Sequence, residues 1–166
     1  DAISVAASVD DMEQNWMFGA VKFTTVDEPE LYAEAVEGTI TKPLQDVQSL
    51  TERLVYVGLA DADFSSEVAA ALKGHVALID RGAVSFADKI RRSVVAGAMA
   101  VVMINNQEGA PFTMGGGDGD KFDIPGVMIG KEIGTKLKAA IAKGAVVADL
   151  KTTKKIEKPE LIDTIA

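Results

Sequence analysis

The only histidine, His75, is the first residue to consider, because much proton-transfer chemistry at neutral pH uses an imidazole. A serine-protease triad needs a serine that meets this histidine, and no G-x-S-x-G or comparable segment offers one. The chain has no cysteine, which excludes cysteine nucleophiles, disulfides and thiolate zinc sites. A zinc site built on His75 would need further nitrogen or sulfur ligands that the sequence lacks. We therefore predict that no residue is catalytic and that His75 is structural or exposed.

A segment rich in glycine and aspartate, Gly115–Asp120, has the composition of a phosphate or calcium loop. The phosphate interpretation fails because the segment follows no strand directly, opens no helix and lacks the P-loop lysine. Asp118, Asp120 and Asp123 are weak candidates for calcium ligands, since Ca²⁺ prefers carboxylate oxygens. The EF-hand pattern is not met, because Phe122 occupies a position that requires an acid or an amide. The sequence therefore favours an ordinary turn-rich loop without a metal or cofactor.

Composition and charge narrow the choice of partners. The 166 residues suit one domain, and 48% hydrophobic with 25% charged residues is typical of a globular protein. A net charge of −8 would repel a phosphate backbone, so nucleic acid is not an expected partner. No apolar run approaches the ~20 residues of a membrane span, so no membrane is expected either. The first 70 residues hold 14 of the 25 acids, which favours a solvated acidic face over a docking surface.

The elements that would position these residues alternate between strands and helices from residue 74 onward. Short apolar runs indicate strands, and apolar stripes at i, i+4 and i+8 indicate helices. The predicted order is strand Gly74–Asp80, helix Ser85–Gly97, strand Ala98–Ile104, loop Gly109–Asp123, strand Ile124–Ile129, helix Lys131–Lys143 and strand Ala145–Leu150. Earlier strands are predicted at Gly19–Val26, Tyr32–Glu37 and Arg53–Val57, with helical turns at Ser66–Leu72. This order predicts an α/β fold in which helices pack on a sheet beside a second β layer.

The stretch Lys73–Ile141 resembles the protease-associated (PA) domain family along most of its length. The matching segments are GHVALIDRG (Gly74–Gly82), SFADKIRRSVVAGA (Ser85–Ala98), AVVMINN (Ala100–Asn106), GAPFTMGG (Gly109–Gly116) and IPGVMIGKEIGTKLKAAI (Ile124–Ile141). Their order and spacing together carry the resemblance. It implies a layered β/β/α fold with a β-sandwich or open-barrel core and about two main flanking helices. It also implies a non-catalytic domain of the type inserted in subtilisin-like serine proteases (subtilases).

The two ends of the chain carry a second resemblance. Ala2–Asp11 (AISVAASVDD) resembles a core strand of the subtilase catalytic domain, and Lys158–Ala166 (KPELIDTIA) resembles the segment that re-enters it. Residues 1–14 would then belong to the catalytic domain, 15–150 to the PA domain and 151–166 to an exit linker. This implies a secreted host protease with its Asp, His and Ser outside this chain. The expected partners are the host catalytic domain and a polypeptide substrate.

The candidate binding residues lie at the end of a predicted strand and in the loop that follows it. They are Asn105, Asn106, Phe112, Thr113, Met114, Gly115 and Gly116. Phe112 and Met114 place apolar side chains among glycines that leave backbone groups accessible to a peptide. An equal alternative is that both side chains fold back as a cap on the core. We expect the loop Gly109–Asp123 to be mobile and exposed.

The predicted function is substrate recognition or access control at the cleft of the host protease. Two alternatives stay open. The domain could be a protein–protein interaction module, for dimerisation or receptor-type binding, or a structural brace without a binding role. The sequence does not fix the oligomeric state.

Overall fold

The structure is a computed structural model that describes residues 20–47 and 49–151. Seven strands, three α-helices and one 3₁₀ turn lie within these residues. The strands are β1 (Ala20–Thr24), β2 (Leu31–Glu37), β3 (Leu50–Gly58), β4 (Val76–Asp80), β5 (Ala100–Ile104), β6 (Gly126–Ile129) and β7 (Val147–Leu150). The helices are α1 (Ser66–Leu72), α2 (Phe86–Val95) and α3 (Lys131–Lys143), and the 3₁₀ turn is Leu44–Asp46. Both subtilase-like ends of the sequence lie outside the described residues.

The strands form one closed barrel in the order β1-β2-β6-β5-β4-β3-β7, in which β7 returns to β1. The neighbours β3, β4, β5 and β6 are parallel, and the other pairs are antiparallel. The predicted α/β class is confirmed. The core, however, is neither a sandwich nor an open barrel. Asp149 of β7 pairs with Lys22 of β1 and with Thr51 of β3, so β7 joins the two ends of the sheet.

Successive side chains of the parallel strands face two different cores. In β4, Val76 and Leu78 belong to the cluster that fills the barrel interior, whereas Ala77 and Ile79 belong to an outer cluster under α2. Helix α3 contributes Leu137 to the interior cluster. Because both faces of β4 and β5 are covered, these strands appear in the sequence as uninterrupted apolar runs.

Local capping interactions fix where the helices begin and end. Ser65 accepts a hydrogen bond from the backbone N–H of Val68 at 3.1 Å, and Ser85 accepts one from Asp88 at 3.1 Å. Gly97 takes a φ of +90° just beyond α2, as expected of a glycine that ends a helix. Helices α1 and α3 have the predicted bounds. Among the described helices, none is long and apolar enough to cross a membrane.

Different strand termini lie at the two ends of the barrel. Strand β1 begins, and β7 finishes, at one end, where Leu150 also pairs with Leu50 at the start of β3. We call this end the proximal pole. Since β3 to β6 are parallel, their carboxyl ends lie at the opposite end, the distal pole. The distal pole is defined by Gly58, Asp80, Ile104 and Ile129. The carboxyl ends of parallel strands are a common place for ligand sites.

Candidate binding surface

The structure separates the predicted binding residues into two groups. Asn105, Asn106 and Phe112 lie at the distal pole, whereas Met114, Gly115 and Gly116 lie beside the segment that follows β2. The exposed Thr113 connects the two groups. The distal group is the one considered further as a candidate surface.

Met114 is buried, with an exposed fraction of 0%. Its side chain belongs to the outer cluster together with Met103 and Met128, because a flexible thioether fills the irregular space over the outer faces of β5 and β6. Its backbone carbonyl accepts hydrogen bonds from Thr39, from the N–H at 3.0 Å and from the hydroxyl at 3.3 Å. The prediction that Met114 offers its side chain to a peptide is wrong. The alternative, a cap on the core, is confirmed for this residue.

The glycine-rich part of the loop stays close to the barrel. Gly115 and Gly116 are exposed, but a Cβ on Gly116 would lie 2.9 Å from Cγ2 of Ile40. The backbone N–H of Phe122 donates to the carbonyl of Ile40 at 2.8 Å. The expected exposure of the loop Gly109–Asp123 is therefore incomplete, since backbone hydrogen bonds hold parts of it on the barrel. Its mobility stays a prediction.

Phe112 is an exposed aromatic residue of the distal pole, with 38% of its surface accessible. Its ring meets Phe86, the first residue of α2, edge to face with centroids 6.0 Å apart. The guanidinium carbon of Arg81 lies 4.8 Å from the centroid of the Phe112 ring, which is within the range of a cation–π contact. Arg81 is a surface residue that the sequence analysis missed.

Asn105 is a buried support rather than a ligand-facing residue, since only 3% of its surface is exposed. Its side-chain oxygen accepts from Nη1 of Arg81 at 2.8 Å and from the backbone N–H of Gln107 at 3.2 Å. Asn106 is exposed and donates its side-chain amide to the carbonyl of Arg81 at 3.4 Å. Asn105 thus bonds the guanidinium of Arg81, and Asn106 bonds its backbone carbonyl. Of the two asparagines, only the exposed Asn106 can contact a ligand.

A polar cluster lies at the end of β4, at the same pole. The hydroxyl of Tyr56 donates to Asp80, and Nζ of Lys138 donates to the other carboxylate oxygen of Asp80 at 2.9 Å. Burial and the bond to Asp80 raise the pKa of Tyr56, while the bond to Asp80 raises the pKa of Lys138. Both groups therefore stay protonated at neutral pH, which suits a fixed ion pair better than proton transfer.

Lys89 is a fully buried cation under this pole, with an exposed fraction of 0%. Its ammonium donates to the backbone carbonyl of Leu59 and, at 2.9 Å, to that of Asp80. Burial lowers the pKa of Lys89. Its two hydrogen bonds thus link the residue that follows β3 to the last residue of β4.

His75 lies on the surface at the other end of β4, so its predicted structural or exposed role agrees with its position. Its Nδ1 is 2.8 Å from a carboxylate oxygen of Glu52. This contact lowers the pKa of Glu52, although the backbone N–H of Arg53 is the larger cause.

Two of the three candidate calcium ligands contact other groups of the protein. Asp120 accepts from the backbone N–H of Gly117 at 2.8 Å, and Asp123 lies 3.5 Å from the ammonium of Lys42. Asp118 is exposed. Within residues 20–47 and 49–151, no three acidic, histidine or cysteine side chains come close enough to share a metal ion.

A separate groove of about 420 Å³ lies between α1 and α2. Its lining includes Phe64 and Val95, and the latter is 83% exposed. The arginines of the groove are paired, Arg91 with Asp88 at 2.8 Å and Arg92 with Asp63 at 3.6 Å. Nothing in the sequence pattern distinguished this groove.

The described residues thus form a seven-stranded barrel with α-helices, in which one apolar cluster fills the interior and a second covers the outer face of the parallel strands. Residues 50–137 match the PA domain family, and the chain belongs to that family. The resemblance seen in the sequence is therefore confirmed.

The relatives are peptidases that are much longer than this chain. It is 32% identical over 118 residues to aminopeptidase YwaD of Bacillus subtilis, which is 63% of this chain and 25% of that protein. A zinc aminopeptidase structure from Bacillus subtilis matches 80% of this chain and 30% of its own, with 29% identity and a TM-score of 0.63. The aminopeptidase from Aneurinibacillus sp. strain AM-1 gives 31% identity and a TM-score of 0.61, over 80% and 30% of the two chains. This chain thus spans a quarter to a third of these relatives.

A subtilisin-like protease also contains this fold. The psychrophilic protease Apa1 of Pseudoalteromonas sp. AS-11 matches 82% of this chain and 34% of its own, with 15% identity and a TM-score of 0.54. At this identity the likeness shows the fold alone. The relatives at about 30% identity are aminopeptidases, so the subtilase host implied by the sequence does not follow from them.

Proposed function

We propose that the chain is a non-catalytic accessory domain of a secreted peptidase, in which it recognises polypeptide substrates. The observation that carries this proposal is membership of the PA domain family in a chain whose relatives are peptidases several times its size. The remaining length of such proteins is available for catalysis. The distal pole supports the binding role with an exposed aromatic ring, an exposed amide and a guanidinium that buried Asn105 orients.

The position of this surface favours recognition over closure of the catalytic cleft. Strand β1 begins and β7 finishes at the proximal pole, so a catalytic domain joined through these strands attaches on that side. The distal pole is at the opposite end of the barrel, and on this proposal it meets a substrate before the substrate reaches the cleft.

The host is proposed to be a subtilisin-like serine endopeptidase, because the two ends of the sequence resemble the flanks of a subtilase insert. An aminopeptidase host is the second candidate, which the identities of 29–32% favour. Both kinds of peptidase contain this fold, so the fold alone does not choose between them.

The host class can be tested on the parent polypeptide that contains this chain. A subtilisin-like host loses activity with a serine-directed covalent inhibitor and cleaves within blocked peptides. An aminopeptidase host loses activity with a zinc chelator, regains it with zinc and requires a free substrate N-terminus. Secretion is tested in the same culture by comparing the amount of the parent in the medium and in cells.

The recognition role can be tested with Phe112→Ala in the parent. On this proposal the exposed ring contacts large substrates outside the catalytic cleft, so we expect kcat/KM for casein to fall several-fold while kcat/KM for a short chromogenic peptide stays constant. Met99→Ala, which shortens another exposed apolar side chain just before β5 and away from the distal pole, is the matched control. Equal kcat/KM values for casein in the Phe112→Ala variant and the wild type would remove the support for recognition at this pole.

A further inference from the structure

Arg81 is a cation that no carboxylate neutralises within the described part of the chain. The adjacent Asp80 is already engaged by Tyr56 and Lys138. The guanidinium of Arg81 uses one donor on buried Asn105 and rests on the face of Phe112. Its orientation is thereby fixed before any ligand arrives, which lowers the entropy cost of binding.

The surroundings of Arg81 are apolar and accessible. Leu59, which follows β3, is 39% exposed, and Phe112 is 38% exposed. Leu59 and Asn106 both lie beside the turn after β4, because a Cβ on Gly82 would lie 3.6 Å from Leu59 and 3.4 Å from the amide of Asn106. The charged Arg81 beside the apolar Phe112 and Leu59 fits a ligand in which an acidic side chain adjoins an apolar one.

We propose that Arg81, Phe112, Leu59 and Asn106 bind an extended polypeptide segment that carries an aspartate or glutamate side chain next to an apolar one. The carboxylate would take the free edge of the Arg81 guanidinium in charge-assisted hydrogen bonds, and the apolar neighbour would pack on Phe112 or Leu59. This inference names the substrate class for the proposed recognition function and rests on it.

The backbone of the pole favours a side-chain carboxylate over a chain terminus. Terminal carboxylates are commonly held by successive free backbone N–H groups. Here the N–H of Arg81 donates to Ile104, that of Val84 to Gly82, and that of Gln107 to the side chain of Asn105. These donors are already used, so the guanidinium is the main anchor for a negative charge.

The test measures binding of fluorescein-labelled peptides to the 166-residue chain by fluorescence anisotropy. The first peptide is blocked at both ends and has one glutamate between two leucines in a glycine–serine background. The second has glutamine in place of the glutamate. The third has that glutamine and a free C-terminal carboxylate. We expect the glutamate peptide to bind about tenfold more tightly than both others, the scale of one partly exposed charge-assisted contact.

Variants of two arginines locate the contact. Arg81→Gln should abolish the preference for glutamate, and Arg81→Lys should retain part of it, because a lysine keeps the charge but not the planar fork. Arg53→Gln is the matched control, since this exposed arginine near the proximal pole gives the same change in net charge. Circular dichroism confirms that each variant is folded.

Three results would overturn the proposal: equal binding of the glutamate and glutamine peptides, an unchanged preference in Arg81→Gln, or a preference for the free terminus. If casein cleavage by the parent still depends on Phe112, recognition stands and only the acidic specificity fails. If casein cleavage is also independent of Phe112, the proposed function fails as well.

Discussion

Replacement of Met114 by alanine tests the division of the long loop into a buried anchor and an exposed surface. Met114 is 0% exposed within the outer cluster. Truncation of a fully buried methionine loses its transfer free energy and leaves a cavity, which together cost about 2–5 kcal/mol. Phe112, two residues earlier, is 38% exposed. Its loss removes one edge-to-face contact of about 0.5–1.5 kcal/mol and one cation–π contact of about 0.5–1 kcal/mol.

We therefore expect Met114→Ala to lower the free energy of unfolding more than Phe112→Ala does. Thr113→Ala, exposed and between them, should change it by less than about 0.5 kcal/mol. Urea unfolding followed by circular dichroism measures all three, and unchanged m-values show that the midpoints report stability. A smaller loss for Met114→Ala than for Phe112→Ala would mean that the loop does not pack as described.

Three further substitutions probe the barrel. Gly134→Ala should destabilise the chain by about 1 kcal/mol or more in urea unfolding. The new Cβ would lie 2.3 Å from Cγ2 of buried Ile104. The cost of this overpacking outweighs the gain in helix propensity of about 1 kcal/mol. Lys89→Met should cost about 1–3 kcal/mol, since two backbone carbonyls lose their donor, and an unchanged midpoint would contradict this. The lowered pKa of Glu52 stabilises the fold above its ordinary value of 4.5, and this contribution is lost as the pH falls through the lowered pKa. Glu52→Gln, which removes the carboxylate beside His75, should therefore flatten the acid limb of a plot of stability against pH, and an identical limb would refute the assignment.

The helices were predictable because their signals are local. Ser85 and Gly97 mark the two ends of α2 within a few residues of the apolar stripe that they bound. Closure of the barrel was not predictable in this way. It depends on β7, whose Leu150 pairs with Leu50 at a distance of 100 residues in the sequence. The sequence of a four-residue strand does not indicate which two strands it will pair with.

The proposed binding surface was predictable only in part, because it too depends on contacts between residues that are distant in the sequence. Phe112 stood out as an aromatic residue in a polar loop, but Met114 looked equivalent, because burial of one and exposure of the other depend on which faces of β5 and β6 remain uncovered. Arg81 looked like a turn residue. Its role depends on Asn105, 24 residues later in the sequence, which orients it across two neighbouring strands.

Closure of the barrel also limits how this domain can bind a polypeptide. Peptides often bind by adding a strand to a free sheet edge, whereas every strand of the described barrel has a partner on each side over part of its length. Recognition at a pole relies on side chains instead, so fewer backbone hydrogen bonds contribute and charge and aromatic contacts contribute more. At the distal pole those contacts come from Phe112 and from Arg81, which the buried Asn105 orients. The proposed surface would therefore select a short feature within an extended substrate, one acidic side chain beside an apolar one, and would not pair with the substrate backbone along its length.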